Sequence, residues 1–235
     1  MSNGSAFIDE INAWEQSEAL ETLRACGLSE GMNVLDFGCG MPRYTMPAAK
    51  LLKNSGIVYA VDENKWILEH IKGRMDNEGV TNIERIRSRG SQVQGFDGVV
   101  QFIIYYDVFH CIGKGMNGRI EENTKLFREF FRLLDVGGIF SFAVYSEITA
   151  VMDYEKGPFT PKGEPKYVRV PFEEAFNEWY KCVPLIESCG FKLKNIVKNG
   201  GVHFDEIDRK LHLKKYASVR FVDLERRDIY NFVKV

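Results

Sequence analysis

The sequence predicts an α/β fold, a doubly wound, mostly parallel sheet of seven strands with helices on both faces. Three observations predict it. Short apolar runs alternate with helical stretches from Asn33 to Tyr145, which is the rhythm of βαβ units. The run Asn33 to Phe37 passes through Gly38-Cys39-Gly40 straight into a helical stretch, the strand–turn–helix with which such folds hold a nucleoside. The run Val100 to Tyr106 is apolar throughout, as a strand buried on both faces requires.

At the start of the chain, Phe7, Ile8, Ile11, Trp14, Leu20, Leu23 and Cys26 recur at roughly helical spacing and stop at Gly27 and Gly31. One or two N-terminal helices, within residues 5–30, therefore precede the first strand. That strand spans Asn33 to Phe37 and its helix Thr45 to Asn54. The second strand is Val58 to Asp62, and Lys65 to Glu78 is the next helix, closed by Gly79. The third strand is Ile83 to Arg87 and the fourth Val100 to Tyr106. Glu121 to Leu134 reads as a helix, Gly137-Gly138 as a turn and Ile139 to Tyr145 as the fifth strand.

Beyond Tyr145 the pattern changes. Residues 146–171 carry Pro158, Pro161, Pro165 and Pro171 with Gly157 and Gly163, so they read as a loop-rich insertion or lid, which we bound at about 146–180. Phe172 to Ser188 has helical spacing around Phe176, Trp179, Tyr180 and Val183, and Pro184 is expected to kink or split it. Two further strands, Phe191 to Val197 and Ile229 to Val235, bring the count to seven. The expectation is one domain over residues 1–235.

A chain of 235 residues with 45% hydrophobic content supports one sizeable core. Lys+Arg 31 against Asp+Glu 33 gives a formal net charge of −2, so no global field draws the protein to nucleic acid or anionic membrane. Five cysteines in no repeating pattern argue against a disulfide framework. No Cys-x-x-Cys or His-x-x-x-His pair suggests a metal site. Met1 to Glu10 is polar, with no signal core, and no run reaches the ~20 apolar residues of a membrane span. A cytoplasmic, reducing setting is the expectation.

The chemistry concentrates at the strand ends. Gly38 and Gly40 permit positive φ and close backbone approach, so main-chain N–H groups can face a polar ligand. Asp36, at the end of a buried strand, demands a cationic or hydrogen-bonding partner. A ligand ammonium meets that demand. Arg43 stands where a dinucleotide fingerprint has its third glycine, so that fingerprint fails. Asp62 ends the second strand; its two carboxylate oxygens suit the two hydroxyls of a ribose, and it is also placed to cap the helix at Lys65.

Val34-Leu35-Asp36-Phe37-Gly38-Cys39-Gly40-Met41 resembles the first motif of class I S-adenosylmethionine-dependent methyltransferases, with Pro42 in place of its last glycine. The resemblance runs in register from about Leu28 to Tyr145, through Tyr105-Tyr106-Asp107-Val108-Phe109-His110 and Val136-Gly137-Gly138. It implies S-adenosyl-L-methionine as cofactor, its methionine half wrapped by Asp36, Phe37, Gly38, Cys39 and Gly40, its ribose on Asp62, and its adenosine along Glu63 and Asn64. Arg89 falls where relatives hold the adenine amino group with an acid; having only donors, it leaves that task to Ser88, Ser91, Gln92 or a backbone carbonyl. The fourth-strand segment lies below the transferring methyl group, which places Asp107 against the cofactor and makes Asp107 and His110 the residues to orient or deprotonate an acceptor.

Tyr44, Tyr105, Tyr106, Tyr145 and Tyr154 are available to line an acceptor pocket. The acceptor is expected to be a small molecule bearing an O, N, S or C nucleophile. RNA or protein is the less favoured alternative, because acids between His203 and Arg227 offset the basic residues there. A catalytically silent cofactor-binding fold is the third.

Overall fold

The computed structural model describes residues 12–88, 99–144, 150–152, 167–202 and 226–235. Its strands are β1 (Val34–Phe37), β2 (Val58–Asp62), β3 (Ile83–Arg87), β4 (Val100–Tyr106), β5 (Leu134–Ala143), β6 (Ala150–Met152), β7 (Tyr167–Arg169), β8 (Phe191–Val202) and β9 (Arg226–Lys234). Seven of them form one sheet in the order β3-β2-β1-β4-β5-β9-β8. β1 to β5 run parallel, while β9 is antiparallel to both β5 and β8. The connection order reverses between β1 and β4, and the crevice at the carboxyl ends of such neighbours is where open α/β sheets take ligands.

Side chains alternate between two faces with the strand period of two. One face is aromatic. Tyr105, Phe140, Phe142 and Phe232 pack there against Phe127 and Phe130 of α4 (Gly115–Leu133) and against Phe176 and Tyr180. The other face is mainly aliphatic: Val34, Val58, Ala60, Ile104 and Ile139, with Phe102 among them, meet α1 (Glu18–Ala25), α2 (Thr45–Leu52) and α3 (Lys65–Glu78). Asp36 shares this second face, one position from the end of β1. Burying each of these large side chains contributes roughly 1.5–3 kcal/mol, so both layers fix where the strand ends lie.

Several elements depart from the sequence expectation. α4 begins at Gly115 rather than Glu121, because Gly113 (φ +80°) turns so tightly that a Cβ there would sit 2.3 Å from the Gly118 carbonyl oxygen. α4 also runs directly into β5. Gly137 (φ +79°) and Gly138 make an irregularity within β5, opposite Val100 and Phe102, in place of the expected turn before it. The stretch Phe172 to Ser188 is divided at Tyr180 and Lys181, with Lys181 at φ +48°. A short turn, Phe172–Glu174, enters a π-turn over Ala175–Trp179, and α5 (Cys182–Glu187) follows. Pro184 thus falls in the first turn of α5, where its missing N–H costs nothing. The last two strands are longer than expected, with Gly201 opposite Arg227 and Val202 opposite Arg226.

The region read as irregular contains a short antiparallel pairing, β6 with β7. Tyr145, Tyr154, Pro158, Pro161, Pro165 and most of the expected insertion lie outside the described residues, as do Arg89, Ser91, Gln92 and 203–225. No described helix is long and apolar enough to cross a membrane.

Candidate functional site

After β1 the chain turns over Gly38 (φ +69°) and Gly40 (φ +50°). The Gly38 and Cys39 amides both donate to the Val61 carbonyl, at 2.8 and 3.0 Å, and the Gly40 amide donates to Asp62 Oδ2 at 3.0 Å. These three amides, expected to face a ligand, are turned toward β2 because the loop prolongs the β1–β2 ladder. The two glycines differ. A Cβ at Gly38 would lie 2.7 Å from Val108 Cγ2, so that glycine lets the loops after β1 and β4 touch. A Cβ at Gly40 would meet nothing nearer than the Gly38 carbonyl oxygen at 3.8 Å. Gly40 borders open space.

Asp62 ties the loop together. Its Oδ1 accepts the Asn64 amide at 2.8 Å while Oδ2 holds Gly40, and a carboxylate with about four acceptor sites keeps two for further donors. The expected cap on the following helix is made by Asn64, whose side-chain oxygen accepts the Trp66 amide at 3.0 Å. Glu63 is exposed, with its carbonyl accepting from Arg87 Nε at 3.1 Å. The Ser88 amide donates to the Asp62 carbonyl at 3.3 Å. Phe37 belongs to the aromatic core, its ring 5.4 Å from that of Phe130.

Asp36 is 4% exposed, and Thr45 Oγ1 donates to its Oδ2 at 2.6 Å. Burial pushes its carboxyl up to about 7; the Thr45 hydroxyl opposes the rise and the neighbouring Asp62 charge adds to it. The Cys39 thiol is raised by burial and by both carboxylates. Asp62 borders the open space at Gly40, and Asp36, its carboxyl raised to about 7, lies buried close enough to feel the Asp62 charge; this strand-end recess gathers two acids. A cation placed there relieves the burial cost that Asp36 otherwise carries.

At the end of β4, Asp107 adopts φ +56°, a conformation that aspartate tolerates better than most residues, and its amide donates to the Ala143 carbonyl at 2.9 Å. A 3₁₀ turn, Phe109–Cys111, follows. His110 Nδ1 lies 3.4 Å from Asp107 Oδ1, and its Nε2 lies 3.2 Å from Cys111 Sγ. Burial alone would hold the imidazole neutral, yet the hydrogen bonds and charges of Asp107 and Cys111 push it up to about 10. The imidazole is therefore protonated at neutral pH. The Asp107 side chain is 21% exposed and that of His110 4%.

Sequence reasoning missed what holds this turn. Asn123 of α4, fully buried, accepts from the Tyr105 hydroxyl at 2.5 Å and donates from Nδ2 to the Phe109, Ile112 and Arg119 carbonyls at 3.0, 3.4 and 2.8 Å. Tyr105 is thus core, not pocket lining. Thr45 could have been found as the first aliphatic hydroxyl after the glycine turn. Val108 and Asn123 carry no local signal, since their roles are contacts across the fold.

Tyr44 and Tyr106 meet edge to face at 4.7 Å, and Trp14, from the helical residues 12–16, meets Tyr44 at 5.3 Å. Tyr106 also shares a 2.6 Å hydrogen bond with Ser141. Beside Trp14, Glu15 pairs with Arg74 at 2.6 Å, Arg74 with Glu78 at 2.7 Å and Glu78 with Lys50 at 2.6 Å. This chain of charges fastens the N-terminal helical segment to α3 and α2, next to the recess.

Among solved structures, the chain is similar to a SAM-dependent methyltransferase from Aquifex aeolicus at 19% identity and TM-score 0.62, with 100% of each chain covered. It is similar to a putative sarcosine dimethylglycine methyltransferase from Galdieria sulphuraria at 14% identity and TM-score 0.57, covering 94% of this chain and 84% of that one. A putative rRNA-methylase from Clostridium thermocellum is similar at 14% identity and TM-score 0.52, covering 94% and 96%. Identities this low establish the fold. No curated protein matches the sequence. A model of the ubiE/COQ5 methyltransferase family matches residues 10–157, more than half of the chain; together with the strand-end recess, this match shows that the chain belongs to that family of S-adenosylmethionine-dependent methyltransferases.

Proposed function

We propose that the protein methylates a nucleophilic O, N, S or C atom of a small molecule that approaches the end of β4. The observation that carries this reading is the contact of Gly38 with Val108, which brings the acidic recess of Asp36 and Asp62 against the Asp107–His110 pair. S-adenosylmethionine, when bound, supplies a methyl group activated by a sulfonium centre. Asp36 and the Gly38-Cys39-Gly40 turn hold the cationic methionine half, while the remaining acceptor sites of Asp62 take the ribose hydroxyls. Asn64 and Ser88 border the adenosine side.

Asp107 is the exposed member of its pair and faces the acceptor. Both His110 ring nitrogens face protein partners, so His110 acts through Asp107 as a positioning residue. Alignment of nucleophile, methyl carbon and sulfur supplies most of the rate, as an effective-concentration effect. A slightly negative chain suits a small acceptor better than a polyanion.

Calorimetry with S-adenosylmethionine tests the cradle. Asp62→Ala should weaken binding at least tenfold, about 1.4 kcal/mol; unchanged affinity would remove Asp62 from the ribose role. Methyl transfer from labelled cofactor to pools of small phenols, amines and thiols should exceed transfer to total RNA and should change little with added salt. A steep salt dependence with RNA as the better acceptor would overturn the small-molecule assignment.

A further inference from the structure

We propose that Cys111 is a nucleophilic thiol, a modification site for hydroperoxides and other soft electrophiles, built by a carboxylate–imidazole–thiol row of Asp107, His110 and Cys111. The inference stands apart from the methyl-transfer reading, since it needs no cofactor. Cys111 is exposed, whereas Cys26, Cys39, Cys182 and Cys189 are buried. Its Sγ lies 3.2 Å from His110 Nε2, and the other ring nitrogen lies 3.4 Å from Asp107 Oδ1. A nucleophile beside an imidazolium, with a carboxylate orienting that ring, is an arrangement that activates cysteine.

The backbone holds the row in place. The Cys111 amide donates to the Val108 carbonyl at 2.8 Å, and Asn123 clamps the Phe109 and Ile112 carbonyls on either side. Among the described residues, Tyr105 of β4 lies near Cys111 and near Cys182 of α5, and burial raises Tyr105 and Cys182, so both stay neutral. Arg119 of α4 is directed to the Tyr180 hydroxyl at 3.3 Å. Among the described residues, Asp107 is the carboxylate facing the ring, and it favours the imidazolium.

With a hydroperoxide, the thiolate sulfur attacks the terminal hydroxyl oxygen. An S–O bond forms as the O–O bond breaks, and the departing alkoxide or hydroxide takes the Nε2 proton to leave as alcohol or water. Sulfur is oxidised by two electrons to the sulfenic acid while the peroxide is reduced by two.

The test is alkylation of the native full-length chain with iodoacetamide between pH 5 and 9.5, followed by peptide mass mapping. Cys111 should label at least tenfold faster than each buried cysteine at pH 7. His110→Gln should slow Cys111 labelling at pH 7 at least tenfold, and Asp107→Asn should slow it by a smaller factor. Peroxide followed by dimedone should tag Cys111 in the native protein and leave Cys111→Ser untagged. A native Cys111 that labels at pH 7 no faster than the buried cysteines overturns the proposal by itself, whatever the variants do. So does a His110→Gln rate at pH 7 that equals the native one.

Discussion

The loops after β1 and β4 meet at the centre of the sheet's carboxyl edge and are built on opposite plans. The first, residues 38–44, is held by the adjoining strand: beside its glycine φ values, its amides are given to Val61 at the end of β2, and Asp62 bridges Gly40 and Asn64. The second, residues 107–114, is held by a packed helix, through the buried side chain of Asn123 on α4, with Asp107 at a positive φ. The first carries negative charge beside open space; the second pairs a carboxylate with a protonated imidazole. The contrast teaches that one half of the site is set by backbone pairing with a neighbouring strand and the other by a buried side chain of a packed helix.

The largest effect should come where the two loops touch. Gly38→Ala combines a strained φ with a clash on Val108, so it should cost about 2–4 kcal/mol in thermal unfolding and most cofactor affinity. Gly40→Ala carries only the conformational penalty, about 1 kcal/mol, while still filling the space beside Asp62. Equal stability losses for the two variants would break the distinction between a packing glycine and a site glycine.

That distinction explains what could be read from the sequence. The strand–turn–helix around Gly38 and Gly40, Asp36 and Asp62 were legible because glycine and a strand-end carboxylate are local signals with local causes. The direction of the turn's amides was not, since it depends on β2 lying alongside. At β4 the sequence singled out Asp107 and His110 but not the clamp beneath them, because an asparagine inside an amphipathic helix looks like any polar position. The break at Tyr180 and Lys181, three residues before the suspected Pro184, shows the same limit: proline marked a helix boundary nearby, and packing chose its place.

Next in size is the clamp itself. Asn123→Leu leaves the Tyr105 hydroxyl and the Phe109 carbonyl buried without their partner, which should cost about 2–3 kcal/mol of stability. It should lower methyl transfer sharply while cofactor affinity, read by calorimetry, stays within about threefold. An equal loss of cofactor binding would join the two loops into one unit and dissolve the comparison.

The central claim is that Asp36 makes the recess a cation site, and the pH dependence of S-adenosylmethionine binding tests it most directly. Because the Asp36 pKa is raised to about 7, the folded protein without cofactor takes up a proton there as pH falls. A cation prefers the carboxylate, so affinity should fall as pH drops from 7.5 to 5.5, approaching tenfold per unit below about 7. Asp36→Asn keeps an acceptor for Thr45 and removes the charge. It should bind more weakly at pH 7.5, with the dependence flattened. A native affinity that does not change across this window, or the same slope in Asp36→Asn, would contradict the claim.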